Sequence, residues 1–368
     1  MILAYPENKR GCVRLRYIDR IRAIAILCMV QVHTAAIIPP EGISVGDPIA
    51  FISAAIGGMA APMFVTISGW GIYRSAIRRR KLADNSISSW MYWIIPRITI
   101  LTICQLLVNS VFSIDRGGRF DWMTPGVLTL LALASLLGPL IVYLKKKQRF
   151  SIMLIFMVSP LIIGDLNGND LYWSERVSSI GIEGWVERLL LNGTYPALPW
   201  LTFIFLGSLI DEDKENLGEQ NMALKVGLVI IFISMIYSFY ERVPWALTEG
   251  NAILTFFPAN TMFILTSGIF VVIIFRILEG GETSGGEPFG GEKISWLEPA
   301  GRLSLTIYIA HFIFLGIIAY QMQHQPRLEI HTAFLLTILH TSIWIPLSIW
   351  HEKYIPKISF EELLRKFN

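Results

Sequence analysis

Apolar residues along this chain gather into runs of about 20, separated by shorter polar stretches. The runs lie near residues 19–38, 49–73, 90–114, 125–144, 150–164, 197–210, 222–240, 259–278, 302–321 and 332–350. Coiled into helices, runs of that length match the ~30 Å hydrocarbon core of a bilayer. The pattern predicts an all-α, multi-pass integral membrane helical bundle of about ten transmembrane helices. The fifth and sixth runs are short, and that pair reads as tilted or re-entrant. The first run has no obvious small-residue cleavage site and is expected to be a retained span, not a signal peptide. Residues 1–368 read as one transmembrane domain, with a core over 16–350 and a cytoplasmic tail over 351–368.

Charge orients the runs. Of the 31 lysines and arginines, 22 fall on the side shared by the N-terminus, the Arg78-Arg-Arg-Lys run, the Lys145-Lys-Lys run and the tail, and only six on the other. By the positive-inside rule both termini are cytoplasmic. Composition agrees with a cell-membrane location and the lipid bilayer as partner: 53% of residues are hydrophobic and only 16% charged. The net charge of +3 points to no nucleic acid. Cys12, Cys28 and Cys104 are scattered, so neither a metal site nor a disulfide framework is expected. Residues 279–292, rich in glycine and glutamate, read as a flexible inside linker. Residues 165–196 form the longest outside segment, and Asn192-Gly-Thr within it matches a glycosylation acceptor.

Polar residues inside these runs carry the candidate chemistry, because ionisable groups are costly to keep in a membrane. In the first run Arg22 and His33 are eleven residues apart, almost three helical turns, and so share a face with Asp19 nearby. The rise between them is about 16 Å, which sets a cation at the inner surface and an imidazole past the bilayer middle. Such a histidine either fixes packing by hydrogen-bonding a neighbouring helix or works as a general base. In the ninth run Ser304, Tyr308 and His311 share a face, while Arg302 points elsewhere from the inner end. That face is either a polar packing seam or part of the same site. Ser68, Gly69 and Gly71 in the second run permit close backbone approach, and the basic run after them sets topology. Arg22, Arg97, Arg302 and that run form four cationic elements at inner helix ends, suited to a polyphosphate. Asp47 and Asp165 lie at outer helix ends as acceptor-site candidates. His340 lies inside a span without a visible partner.

Four stretches resemble a known group of multi-pass transmembrane acyltransferases. They are Arg16-Tyr-Ile-Asp-Arg-Ile-Arg-Ala running to His33, Ala61-Pro-Met-Phe-Val-Thr-Ile-Ser-Gly, Tyr195-Pro-Ala-Leu-Pro-Trp, and Gly301-Arg-Leu-Ser-Leu-Thr-Ile-Tyr-Ile-Ala-His. The nearest resemblance is to the heparan-alpha-glucosaminide N-acetyltransferase family, and a more distant one is to the acyltransferase 3 family. Ala23 stands where the former usually has glycine, and residues 39–47 lack that family's histidine. A catalytic histidine must then be His33, as in the acyltransferase 3 pattern.

The resemblance implies transfer of an acyl group, acetyl in the first instance, from cytoplasmic acyl-CoA (acetyl-CoA) to an amine or hydroxyl of a sugar or glycan reached from the other side, without a metal. It also implies a homodimer. Catalysis would fall to His33 and His311, donor binding to Arg22, Arg97, Arg302, Ser68, Ser304 and Tyr308, and supporting or acceptor roles to Asp19, Asp47 and Asp165. The competing expectation is a transporter or flippase for an anionic or lipid-linked solute, with Pro96 and Pro199 interrupting spans.

Overall fold

Each of the ten apolar runs contains a helix in the computed structural model, which describes residues 14–38, 48–82, 87–210, 217–282, 285–322 and 328–367. The helices are α1 (Arg16–Ile37), α2 (Pro48–Leu82), α3 (Ile87–Val111), α4 (Val127–Ile141) and α5 (Lys146–Ile163). Then come the short α6 (Trp173–Val177) and α7 (Gly181–Glu187), followed by α8 (Ala197–Ile210) and α9 (Leu217–Glu241). A small parallel strand pair, β1 (Ala246–Glu249) and β2 (Leu254–Phe257), precedes α10 (Thr261–Glu279). The chain continues through α11 (Glu298–Arg302), α12 (Ser304–Gln321), α13 (Ile330–Tyr354) and α14 (Phe360–Arg365).

Among the described residues, eight helices are long and apolar enough to cross a membrane. The two other runs behave differently. Helix α4, with 15 residues, rises only about 22 Å, less than a bilayer core. Residues 181–192 and α8 form a pair bent by 55°, a broken span or re-entrant loop. A π-helical turn, Arg188–Asn192, lies within that pair. The protein is thus an all-α multi-pass membrane bundle.

Helix α1 lies at the centre and packs on α2, α10, α11, α12 and α13, and α2 in turn packs on α4 and α8. Glycines set the closest approach. A Cβ on Gly207 would lie 2.1 Å from the Thr66 carbonyl oxygen, and one on Gly69 2.5 Å from that of Ile204. Any side chain there would force α2 and α8 apart. The α1–α11 contact is tighter still: a Cβ on Gly301 would meet the Asp19 carbonyl oxygen at 1.8 Å.

Two sequence expectations need correction. The glycine-rich segment is not a free linker where it is described. Both carboxylate oxygens of Glu282 accept from the first amides of α1, Arg16 N and Tyr17 N, each at 2.8 Å. Helix starts leave such amides without partners and favour an anion beside them. Farther along the segment, the Phe289 and Gly291 carbonyls accept from the fully buried Arg20. A buried guanidinium must have its donors satisfied, and this backbone satisfies them. The second correction concerns Asn192, which is buried. Its amide donates to Glu187 Oε1 at 2.7 Å and to the Leu166 carbonyl at 3.3 Å, so it is a structural link and not an accessible glycosylation acceptor.

Candidate active site

Two histidines from distant parts of the chain meet inside the bundle. His33 Nδ1 and His311 Nε2 lie 2.9 Å apart, with the rings nearly coplanar in orientation. Helix α1 supplies the first from its C-terminal half, and α12 supplies the second two turns from its N-terminal end. The hydrogen bonds set the tautomers when both rings are neutral. His311 Nδ1 faces the Ile307 carbonyl at 3.0 Å, and a carbonyl only accepts, so Nδ1 carries the proton. His311 Nε2 is then the acceptor for His33 Nδ1–H, and the lone pair of His33 sits on Nε2. His311 is fully buried, whereas His33 is partly exposed. Tyr308 and Phe312 complete the collar, with Phe312 centred 4.5 Å from the His33 ring and Tyr308 6.5 Å from it.

Below this pair, on the arginine-rich side, lies a cavity of about 260 Å³. Arg22, Arg97, Arg302, Ser68 and Ser304 all line it, so five of the six donor-binding candidates converge there. Arg14 and Arg365 add two more cations, and Glu361 is the one acid among the described lining residues. The cavity rises to Phe64, whose ring stacks on Tyr308 at 6.0 Å. Tyr308 and the two histidines are not part of its lining. Phe64 and Tyr308 therefore stand as a two-ring partition between the arginines and the imidazoles.

Asp19 organises the inner end. Its buried carboxylate lies 2.7 Å from Arg14, 3.5 Å from Arg22 and 3.8 Å from Arg302. Arg302 also reaches Glu298 at 3.5 Å and Glu352 at 2.5 Å. The expectation that Arg302 points elsewhere is overturned. It assumed one continuous helix from 302 to 311, but Leu303 breaks α11 from α12 with φ −111° and ψ 21°. The turn redirects the guanidinium into the cavity.

The basic run in the last turns of α2 does not join the cavity lining. Arg80 donates to the Val142 carbonyl at 3.0 Å and packs over Tyr143, while Arg79 donates to the Ser89 carbonyl at 3.2 Å. Asp165 is exposed, in a short 3-10 turn after α5. Asp47 lies outside the described residues. His340, unexplained by sequence, donates from Nδ1 to Thr34 Oγ1 at 2.8 Å, since that hydroxyl already gives its proton to the Val30 carbonyl. It ties α13 to α1 one residue beyond His33. Sequence reading missed Phe64, Glu361 and Arg365. Nothing in the local pattern of 360–365 distinguishes it from an ordinary amphipathic tail helix.

On the side of the histidines away from the arginines, aromatic rings continue toward the surface. Phe312 contacts Phe120 at 5.8 Å, Phe120 contacts Trp173 at 6.4 Å, and Trp173 contacts Phe257 at 5.1 Å between ring centres. Phe120, Trp173 and Phe257 are all partly exposed. Arg119, next to Phe120, donates to the Ala36 carbonyl near the end of α1, and burial lowers its pKa against the opposing pull of Glu249.

Against known proteins, one family model matches, described as an acyltransferase domain, and it covers residues 15–350. No curated protein matches the chain.

Proposed function

We propose a reaction for this chain, which belongs to the acyltransferase 3 family. It is a membrane acyltransferase, and the proposal concerns its donor, its acceptor and the residues that act. The donor is a cytoplasmic acyl-CoA, with acetyl-CoA the first to test. The acceptor is an amine or hydroxyl of a sugar or glycan that arrives from the outer side. The observation that carries this reading is the hydrogen-bonded His33–His311 pair, set above a cavity lined by five arginines and one acid. An amino sugar is the first acceptor to test within this proposal, on the resemblance of four stretches to the heparan-alpha-glucosaminide N-acetyltransferase family, which the family match does not repeat.

The arginines suit the phosphates of the donor, because guanidinium groups bind phosphate through paired, charge-assisted hydrogen bonds. Ser68 and Ser304 line the path above them. The acyl end must pass the Phe64–Tyr308 partition to reach His33, so those rings part when the donor binds. His33 Nε2 takes the proton from the acceptor amine or hydroxyl as that atom attacks the thioester carbonyl. The tetrahedral intermediate then collapses, the C–S bond breaks, and the proton on Nε2 passes to the departing thiolate. Proton gain at Nε2 makes His33 cationic and strengthens its Nδ1–H bond to His311. His311 is thus a positioning residue, holding the ring and its tautomer. Tyr308, whose ring neighbours both imidazoles, donates its hydroxyl to the developing oxyanion in this scheme.

Acetyl-CoA turnover by the purified protein with a panel of amino and hydroxy sugars tests the reading. CoA alone raises the melting temperature, by the equivalent of about 2.7 kcal/mol at a hundredfold excess over Kd. No shift up to millimolar CoA removes the donor assignment and favours a transporter. His311→Gln lowers kcat about 10- to 100-fold, within the range of a general-base contribution, and leaves the donor KM within about twofold. Equal losses in kcat and donor affinity count against a positioning role.

A further inference from the structure

The cavity that we assign to the donor contains an anion supplied by the chain itself. Helix α14 and its flanks run beneath the bundle, and Glu361, Leu364 and Arg365 form one wall of the cavity. The Glu361 carboxylate is seated on the start of α12. Its Oε1 accepts from Leu305 N at 2.6 Å and Thr306 N at 3.1 Å, and its Oε2 accepts from Thr306 Oγ1 at 2.6 Å. Phe360 N donates to the same hydroxyl at 3.1 Å. Phe360, Leu364 and Phe367 pack against the core, and Phe367 also meets Tyr92 of α3, 6.4 Å between ring centres.

Three facts make this seat a contested one. Glu361 is the one acid among the described lining residues, although Arg14, Arg22, Arg302 and Arg365 also pair with acids outside the lining, and it lies within electrostatic reach of Arg22. Amides at a helix start and converging arginines are what a phosphate also seeks. The buried Nε of Arg302 has no hydrogen-bond acceptor among the described residues. Space is short as well. About 260 Å³ falls below the ~300–1,000 Å³ usual for small-molecule sites, and a nucleotide-bearing donor needs more. The wall best able to yield is the six-residue α14, which follows the last long helix, whereas the residues from α2, α3 and α12 belong to helices of 18 residues or more.

We propose that residues 355–367 form a strap whose Glu361 occupies part of the donor's phosphate site, so that strap and donor compete and Glu361 sets donor affinity. This rests on the acyl-CoA reading above. In the resting protein the strap closes the inner mouth and its carboxylate neutralises part of the arginine cluster. Donor phosphates displace the carboxylate, the strap swings away, and the arginines and α12 amides turn to the donor.

The test uses the full chain in lipid nanodiscs with CoA and inorganic pyrophosphate as probes. Glu361→Gln removes the competing charge, and Phe367→Ala weakens the strap at a residue outside the cavity lining. Both tighten CoA binding about threefold to tenfold by calorimetry, the worth of one charge at a helix start. Unchanged or looser binding in either variant overturns the proposal, since a strap that helps hold the donor gives that result. Hydrogen exchange of peptide 359–367 in the unaltered protein rises on adding CoA. If CoA binds and exchange there stays constant or falls, the strap proposal fails and the donor reading stands. If pyrophosphate raises exchange but CoA does not bind, the strap stands and the donor reading fails. If neither anion binds, both fail.

Discussion

Replacing His33 by alanine is expected to cut turnover of acetyl-CoA by about 10²–10⁴-fold, the range a positioned general base contributes. Donor affinity should stay within about threefold, because His33 is not part of the lining of the arginine cavity. The expectation follows from tautomer geometry. His311 commits its Nδ1 proton to the Ile307 carbonyl and so must accept from His33 Nδ1, which leaves the His33 lone pair on Nε2. No other arrangement of two neutral rings satisfies both contacts. His33→Gln keeps a donor toward His311 but has no basic nitrogen, so it should restore packing without restoring rate. A kcat for His33→Ala at the unaltered level, with saturating donor and acceptor, removes His33 from the chemistry. A rate loss in His33→Ala that His33→Gln repairs assigns it to packing.

How much of this site the sequence contained depends on the distance over which each relation acts. Helical periodicity alone put Arg22, Asp19 and His33 on one stripe, and Ser304, Tyr308 and His311 on another. Those relations span at most eleven residues within a single helix, where 3.6 residues per turn decides the outcome. The 2.9 Å contact between His33 and His311 joins residues 278 apart and depends on how α1 and α12 dock. No period in one sequence carries that. Arg302 shows the failure at short range: the wheel ran through Leu303, where the backbone leaves the helix and turns the side chain into the cavity. The glycine-rich stretch misled for another reason. Composition measures the freedom of an unbound chain, whereas Glu282 and the Phe289 and Gly291 carbonyls have partners on α1 that fix them. Glu361 was invisible because its significance lies in what it touches, the amides of α12, more than fifty residues upstream.

The same limit separates two arginines that looked alike. Arg20 and Arg22 both belong to the basic inner end of α1, and a charge count treats them equally. Two residues along a helix turn a side chain by about 200°, so they face opposite ways. Arg20 is fully buried, with Glu298 at 2.9 Å and the Phe289 and Gly291 carbonyls at 2.5 and 2.6 Å. Arg22 is partly exposed, lines the cavity, and has Asp19 at 3.5 Å. Removing Arg20 takes the guanidinium donor from the part-buried bonds to the Phe289 and Gly291 carbonyls and leaves Glu298 with Arg16 and Arg302. Arg20→Met should therefore destabilise the protein by about 3–5 kcal/mol, seen as a melting temperature lowered on the order of 10 °C. Removing Arg22 leaves Asp19 with Arg14 and Arg302, so Arg22→Gln should change stability by less than about 1 kcal/mol. Its cost should appear in binding instead, as a CoA affinity weaker by about 10- to 100-fold, the worth of one charged hydrogen bond. A melting loss in Arg22→Gln as large as in Arg20→Met, with CoA affinity intact, places Arg22 in the scaffold and takes the first rung from the donor path.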